Sequence, residues 1–445
     1  MSSTATRRGS AHVVARAVGR VEEGVLDPTA WRVRIPRLPV WPLVAMFTLM
    51  PIWWVLGVFF IVWPFFGVVL FVLLTVRGKV LRPTGTMLFL IFLGIVLVSA
   101  TRLEHLTSVV LFALRLGHLI TAFLVGVYVY NLAREGTPWA RIVNPLLVFW
   151  LCMVAFGWFG VLFPKFSVAS PFQILLPDGI ASERYITDIT SLDATEFNKL
   201  SANPIYRPSA PFPYTNNWGT AYCFLVPFVL ACLTVVRRRW MMITLLVSLP
   251  LSIVPAYLTL NRGMFIGLAC GVLYLLLREI GRGRVRLLLP VAGILLIGWV
   301  VTLFVPVFDL ITSRTQTTYS NRDRFDLYAQ TWAAVMHSPL LGFGQPNQVD
   351  TTFAAEPLGT QGMVWQLLYS HGIPATICFY LIFAVIARRM STAVTRAGLW
   401  LSALPVVAVV VTPFYSFLSP IMSVLFCGIG LGLAAVDGPI NRSSA

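Results

Sequence analysis

Continuously apolar runs of 16 to 27 residues recur along almost the whole of this sequence, which restricts the chain to a bundle of membrane-crossing helices. Twelve runs are read, at 41–57, 58–76, 86–101, 106–132, 142–163, 217–236, 241–260, 263–281, 286–306, 361–387, 397–413 and 418–436. A hydrocarbon slab ~30 Å thick needs ~20 helical residues to cross it. Strands are excluded because the runs do not alternate, and in lipid each segment must satisfy its own backbone groups. The pair within 41–76 reads equally as a reentrant hairpin broken near Gly57 and Pro64. With 58% hydrophobic and 11% charged residues, the chain could not cover a water-soluble fold. The expectation is an all-α polytopic protein of about 12 transmembrane helices.

The net charge of +16 is distributed by position rather than in a patch. Short loops at alternate helix ends carry Arg77, Lys79 and Arg82, then Arg134 and Arg141, then Arg237 to Arg239, then Arg278, Arg282, Arg284 and Arg286, then Arg388, Arg389 and Arg396. With the N-terminal forty residues and Arg442, 23 of the 33 basic residues fall on one face, and nine on the other. By the positive-inside bias, both termini are expected in the cytoplasm and the protein in the inner or plasma membrane. Such a rim is a membrane-surface feature, and no nucleic-acid partner is implied.

The domain reading follows: a cytoplasmic tail over 1–40, a transmembrane domain over 41–436 and a short cytoplasmic tail over 437–445. Two large loops, about 164–216 and 307–360, face outward, and eleven of the seventeen acidic residues fall on that side. The N-terminal segment is polar and Arg-dotted, without the short apolar core and small-residue cleavage site of a signal peptide. The six cysteines lie in apolar runs without CxxC spacing, so neither disulfides nor a metal site is expected.

The first outer loop is proline-rich and ends RPSAPFPYTNNWGTAY, entering the next helix through turn chemistry. Phe212, Tyr214, Asn216, Asn217 and Trp218 form an aromatic and amide set there. It suits sugars, which offer C–H faces and hydroxyls, and equally suits an interfacial aromatic belt. In the second loop, Arg322, Asp323, Arg324 and Asp326 open a segment in which Phe325, Tyr328, Trp332, Val335 and Met336 recur at helical spacing. That spacing predicts an amphipathic helix lying on the membrane or on the bundle, ended by SPLLGFG.

Two arginines stand at membrane depth. Arg262 lies in YLTLNRGMFIGL, where one apolar run gives way to the next on the outer side. A guanidinium there can fork two donors onto a phosphate. Arg115 lies near the middle of 106–132, with His118 three residues on and on the same helical face. A charge at the bilayer centre costs from about 2.5 kcal/mol upward and usually faces a cavity or a partner.

The Asn-Arg-Gly helix start, the large loop, the arginines before Trp332 and the Pro-Leu-Leu-Gly-Phe-Gly ending together resemble the O-antigen ligase and O-antigen polymerase superfamily. The resemblance is specific over roughly 255–387. It implies a GT-C-type membrane glycosyltransferase with a polyprenyl (undecaprenyl) diphosphate-linked glycan donor, an outer-face site, and no metal or nucleotide cofactor. It also implies that Arg262 and Arg322, with Arg324 as the alternative second residue, hold the donor diphosphate. One departure stands out. Ligases carry His-Asn eleven residues before a glycine in the helix after the loop; counting back from Gly372 reaches Gln361-Gly362. Glutamine cannot act as a general base at neutral pH. Candidate bases are Asp323, Asp326, Asp350, Glu356, His337 and His371, the last reading better as a packed residue.

The expected catalytic set is therefore Arg262, Arg322, Arg324, Asp323 and Asp326, with Arg115, His118, Asn217, Trp218 and Gln361 expected on the substrates. Because the ligase histidine is missing, polymerisation is favoured over ligation. The expected partners are the lipid-linked donor, a glycan or cell-envelope acceptor, the bilayer and polysaccharide-assembly machinery. The alternatives are a lipid-linked oligosaccharide flippase, which should line a cavity with charges from several helices, and a non-catalytic component of an assembly complex.

Overall fold

The computed structural model describes residues 37–103, 105–177, 179, 184–197, 206–283, 319–346, 358–417 and 419–439. Residues 1–36 of the N-terminal tail, the apolar run 286–306 and the parts 307–318 and 347–357 of the second loop lie outside the described residues. The chain is an all-α, multi-pass membrane protein in its architecture. Seven described helices are long and apolar enough to cross a membrane, and three shorter apolar helices accompany them.

Helix α1 spans Val62–Arg77, α2 Thr86–Ser99, α3 Leu106–Arg134 and α4 Trp139–Leu162. The first large loop follows, with short helices α5 (Pro171–Leu175) and α6 (Arg184–Thr190). It also holds two small antiparallel pairs, β1 (Ser167–Val168) with β2 (Leu192–Asp193) and β3 (Thr195–Phe197) with β4 (Tyr206–Pro208). Then come α7 (Thr215–Leu233), α8 (Arg239–Leu258), α9 (Arg262–Ile280) and α10 (Tyr319–His337). The chain continues through α11 (Met363–Met390), α12 (Arg396–Leu401), α13 (Leu404–Val411) and α14 (Ser419–Asp437). The run read as one span over 397–413 is thus two short helices.

The apolar segment 41–57 is broken rather than a plain helix. It passes through Trp41–Leu43, a π-helical stretch Val44–Thr48 and Met50–Val55, and turns at Gly57 with φ 78°. Pro42 and Pro51 each start a short piece, since proline fits the first helical turn but not the interior. The first large loop seats on this break: Phe172 N–H donates to the Leu56 carbonyl (3.2 Å), and a Cβ on Gly57 would fall 1.9 Å from Ser170 Oγ.

Side-chain pairing gathers the basic helix ends at one end of the bundle. Arg77 bridges Glu135 at 2.6 Å, and Arg134 and Arg389 both reach Asp437. Asn131 fastens the connection after α1, accepting from Arg77 Nη1 and Leu81 N–H and donating to the Leu81 and Val127 carbonyls. The 164–214 loop, the α8–α9 junction, the start of α11 and the 412–417 turn lie at the opposite end, called the loop end below.

The second break matters most for the site. Helix α11 kinks at Gly372 (φ 77°, ψ −177°), two residues before Pro374. Pro374 has no N–H to give the Ser370 carbonyl, so the i to i−4 ladder fails there. The segment 338–344 mends it: Phe343 N–H donates to the Tyr369 carbonyl (2.9 Å), Gly344 N–H to Ser370 (2.7 Å), and Ile373 N–H to Pro339 (2.8 Å). Gly342 and Gly344 carry positive φ to present those donors. The SPLLGFG sequence is therefore a clasp that completes a broken helix with a distant segment, as backbone in an apolar setting requires.

Helix α10 forms as expected, but its apolar residues divide between two faces. Leu327, Thr331 and Val335, at four-residue spacing, are buried, with Val335 packed in a small cluster with Leu368 and Tyr369, while Phe325, Trp332 and Met336 are exposed. Tyr328 stacks on Trp365 with ring centroids 4.4 Å apart. The buried face is chosen by the groove beside α11, not by the bulkiest side chains.

Gly372→Ala should lower stability, because that backbone region costs a non-glycine residue about 1–3 kcal/mol and its Cβ would meet the Leu340 carbonyl at 2.6 Å. Thermal unfolding of the purified protein checks this. Gly94→Ala, where an added Cβ meets nothing within 4 Å, should leave the midpoint unchanged or raised.

Candidate functional site

Four helices meet on the turn Thr412–Phe417 at the loop end of the bundle. Met363 N–H donates to the Tyr415 carbonyl (2.9 Å) and Val364 N–H to Thr412 (3.2 Å), fixing the start of α11. Ser416 Oγ donates to Gln366 Oε1 (2.6 Å), and Tyr328 of α10 donates to the Pro413 carbonyl (3.4 Å). Asn217 of α7 reaches the Ser416 carbonyl through a long contact of 3.5 Å. Gly263 of α9 lies against the Tyr415 ring, where a Cβ would come within 2.8 Å of the hydroxyl oxygen.

Buried Asn261 joins the start of α9 to that of α7. Its Nδ2 donates to the Thr215 carbonyl (2.7 Å), and Gly219 leaves the space it occupies, since a Cβ there would sit 2.5 Å from Nδ2. The Asn-Arg-Gly sequence therefore has a structural division of labour. Asn261 locks two helix starts together, Gly263 admits Tyr415, and Arg262 between them is left exposed. Among the described residues Arg262 forms no ion pair or hydrogen bond.

Helices α7, α9 and α11 thus present their N-termini at one place. Each N-terminus carries free backbone N–H groups and about half a positive charge, which favours an anion. The α7 end is already occupied: Glu196, bridged to Arg207 at 2.8 Å, also accepts from Thr215 N–H (2.8 Å). No carboxylate of the described residues takes that role for Arg262.

Residues 247–380 match the family model described as O-antigen ligase. Over this segment the chain is similar to the O-antigen ligase superfamily. The match covers the second half of α8, all of α9 and α10, the 338–344 clasp and α11 as far as Tyr380. Helix α7 and the 412–417 turn that receives it lie outside the match. A search of curated proteins returned no match to this chain.

The other expected site residues are placed as follows. Arg322, Asp323 and Arg324 lie in the first turns of α10, with side chains outside the described residues. Arg322 is six residues before Tyr328, so the helical rise puts it about 9 Å beyond the stack on Trp365, toward the loop end. Asp326 is exposed on the same helix, and Gln361 is half-buried immediately before Gly362, the residue preceding α11. Asp350 and Glu356 lie outside the described residues.

Two expectations require correction. The aromatic and amide set of the first loop is not a surface, because Phe212, Asn217 and Trp218 are buried. Trp218 stacks on Tyr222 at 5.3 Å and packs beside Gly157, so its ring is enclosed by α4 and α7 rather than offered to a sugar. His118 points its Nε2 at the Phe60 carbonyl (2.9 Å), which ties α3 to the connection before α1 and leaves that nitrogen no substrate. His371, expected to be packed, is buried and hydrogen-bonded to Ser99 Oγ (2.7 Å). Ser99 Oγ donates to the Val96 carbonyl, so His371 Nδ1 is the donor in that pair.

Sequence reasoning missed the hub itself. Thr412, Tyr415 and Ser416 carry no charge and sit inside an apolar region; the available signal was the Thr-Pro-Phe-Tyr-Ser interruption between two runs.

Asn261→Ala should destabilise by about 1–3 kcal/mol, since it removes one partner of a buried hydrogen bond. Asn261→Asp should be at least as harmful, because it turns an acceptor toward the Thr215 carbonyl. Thermal midpoints of the two purified variants test both statements.

Proposed function

We propose that this chain is a glycosyltransferase that elongates or transfers a polysaccharide from a polyprenyl diphosphate-linked donor on the outer face of the membrane. The match of residues 247–380 to the O-antigen ligase model supports the coarse class, polysaccharide assembly. The observation that carries the finer reading is exposed, unpaired Arg262 at the N-terminus of α9, beside the starts of α7 and α11. A diphosphate leaving group needs cations and oriented donors where its charge develops, and these are what the junction offers.

Arg262 and an arginine of the first turns of α10, Arg322 or Arg324, are assigned to the two phosphates. Gln361, at the head of α11, is assigned to orienting the acceptor hydroxyl. The basic rim of Arg77, Arg134, Arg278 and Arg389 at the opposite end supports a cytoplasmic location for that end and an outward one for the junction. Polymerisation is preferred over ligation because Gln361 stands where the ligases' histidine would be. The acceptor is then a growing glycan or cell-envelope component.

A deletion strain complemented with Arg262→Ala should make polymer at a rate about 100-fold or more below wild type, the usual scale for removing one oxyanion-stabilising donor. Arg262→Lys should recover part of it, since the charge remains but the fork is lost. The lipid-linked intermediates distinguish the classes, provided each variant reaches the membrane normally. Single repeat units on the outer side mean a polymerase, and finished polymer left on its lipid means a ligase. Donor trapped on the cytoplasmic side, or full complementation by Arg262→Ala, defeats the reading.

A further inference from the structure

Arg115 of α3 sits about nine residues, or ~14 Å of helical rise, from the loop end of its helix. Its Nη1 is buried without a hydrogen-bond partner among the described residues. Its guanidinium carbon stands 5.3 Å from the centroid of the Tyr185 ring, supplied by the loop helix α6. The Tyr185 hydroxyl is itself buried and has no hydrogen-bond partner among the described residues. The ionisable groups facing Arg115 are Tyr185 and Tyr214 from the first large loop, His118 from its own helix and His371 from α11.

None of these neutralises the guanidinium. Burial pushes the Tyr185 phenol up, against the opposing pull of Arg115, so the ring stays neutral at physiological pH. His118 and His371 are occupied with Phe60 and Ser99. The Tyr214 hydroxyl donates to Asp188, and Arg115 forms no ion pair with that carboxylate or with any other described one. Among the described residues, half-buried Arg77, Arg134 and Arg207 are paired with Glu135, Asp437 and Glu196, and Arg278 is held by Ser402 Oγ and the Ala393 carbonyl. A buried, unpaired arginine within a membrane span is unfavourable on its own and ordinarily faces a partner. Access exists, because Leu114, Arg115, Leu116 and Gly117 are all half-buried rather than sealed.

We infer that Arg115 and the Tyr185 hydroxyl form a second anion site, taking a phosphate group of a membrane lipid beneath the first large loop. The guanidinium supplies forked donors and the phenol a further one, the combination that suits a phosphate oxygen pair. Tyr214 immediately precedes Thr215, whose carbonyl holds Asn261, so this site lies next to the junction that bears Arg262. Two sources share the chemistry: the diphosphate of the lipid-linked donor, which rests on the function proposed above, and the headgroup of an anionic phospholipid, which does not.

The full-length protein in phosphatidylcholine nanodiscs is titrated with undecaprenyl diphosphate in one arm and phosphatidylglycerol in the other, with retention read by native mass spectrometry. Arg115→Gln should weaken one of the two at least tenfold, and Arg115→Lys should weaken it less. Without added lipid, Arg115→Gln should unfold at the same temperature as wild type or higher, because an unpaired buried charge has been removed. Loss of the diphosphate identifies the donor as the source, and loss of phosphatidylglycerol alone identifies the headgroup. If Arg115→Gln retains both, or unfolds at a lower temperature without lipid, the inference is overturned. Arg262→Gln separates the two ideas. If it loses the diphosphate while Arg115→Gln retains both lipids, the proposed function stands and this site does not. If Arg262→Gln retains the diphosphate while Arg115→Gln loses phosphatidylglycerol, this site stands and the diphosphate role of Arg262 does not.

Discussion

A peptide group that leaves a helix inside an apolar slab must find its hydrogen bond in another segment, because no water is there to supply it. The loop end of this protein is organised by that requirement. Helix α11 stops bonding to itself at Gly372, and its freed carbonyls are met by the N–H groups of Phe343 and Gly344. The turn at 412–417 leaves carbonyls that are met by Met363, Val364 and Tyr328. Each mend ties together segments far apart in sequence, and the two together hold α10 against the first half of α11. The helix that carries Arg322 and Arg324 is thereby fixed at two heights, by the Tyr328–Trp365 stack and by the clasp.

The electrostatics divide along the same axis. At the end opposite the loops, arginines are matched by Glu135 and Asp437 and serve to tie helices, a structural use that releases no charge for a ligand. At the loop end the one described ion pair, Arg207 with Glu196, is used to cap α7. Among the described residues Arg262 and Arg115 have neither an acidic partner nor a helix carbonyl to hold. An unmatched cation at a helix N-terminus, as Arg262 is, or buried within a membrane span, as Arg115 is, is unfavourable for folding by itself. Their placement makes sense where an anion completes them.

Much of the fold was legible because continuous apolarity fixes long helices almost regardless of packing. Helices α3, α4, α7, α8, α9 and α11 begin and end within about three residues of the apolar runs. The turn at Gly57 was legible because a glycine marks it, but the π-helical stretch Val44–Thr48 and the turn between α12 and α13 carry no such mark and were invisible. Nor can an apolar run say which side of an aromatic residue faces protein. Trp218 and Phe212 are core residues, while Phe325 and Trp332 are exposed, an assignment that composition would reverse. The site was legible where charge stands out, at Arg262 and Arg115. The uncharged hub of Thr412, Tyr415 and Ser416 was not, since it works through main-chain carbonyls that every residue possesses.

Gln361 bears on how much base the proposed reaction needs. At an acetal carbon with a diphosphate leaving group, bond breaking runs ahead of attack and negative charge builds on the phosphates first. The acceptor hydroxyl becomes acidic only once it has begun to bond to a cationic carbon, so its proton can pass late, to a phosphate oxygen or to water. A strong base held in place is then less important than cations that respond early. A glutamine amide beside the start of α11 can still accept the hydroxyl hydrogen bond and aim the oxygen, which is the orientational part of the work. Such a site would turn over through Arg262 and the helix N-termini with positioning from Gln361, and a histidine would add rate rather than create it.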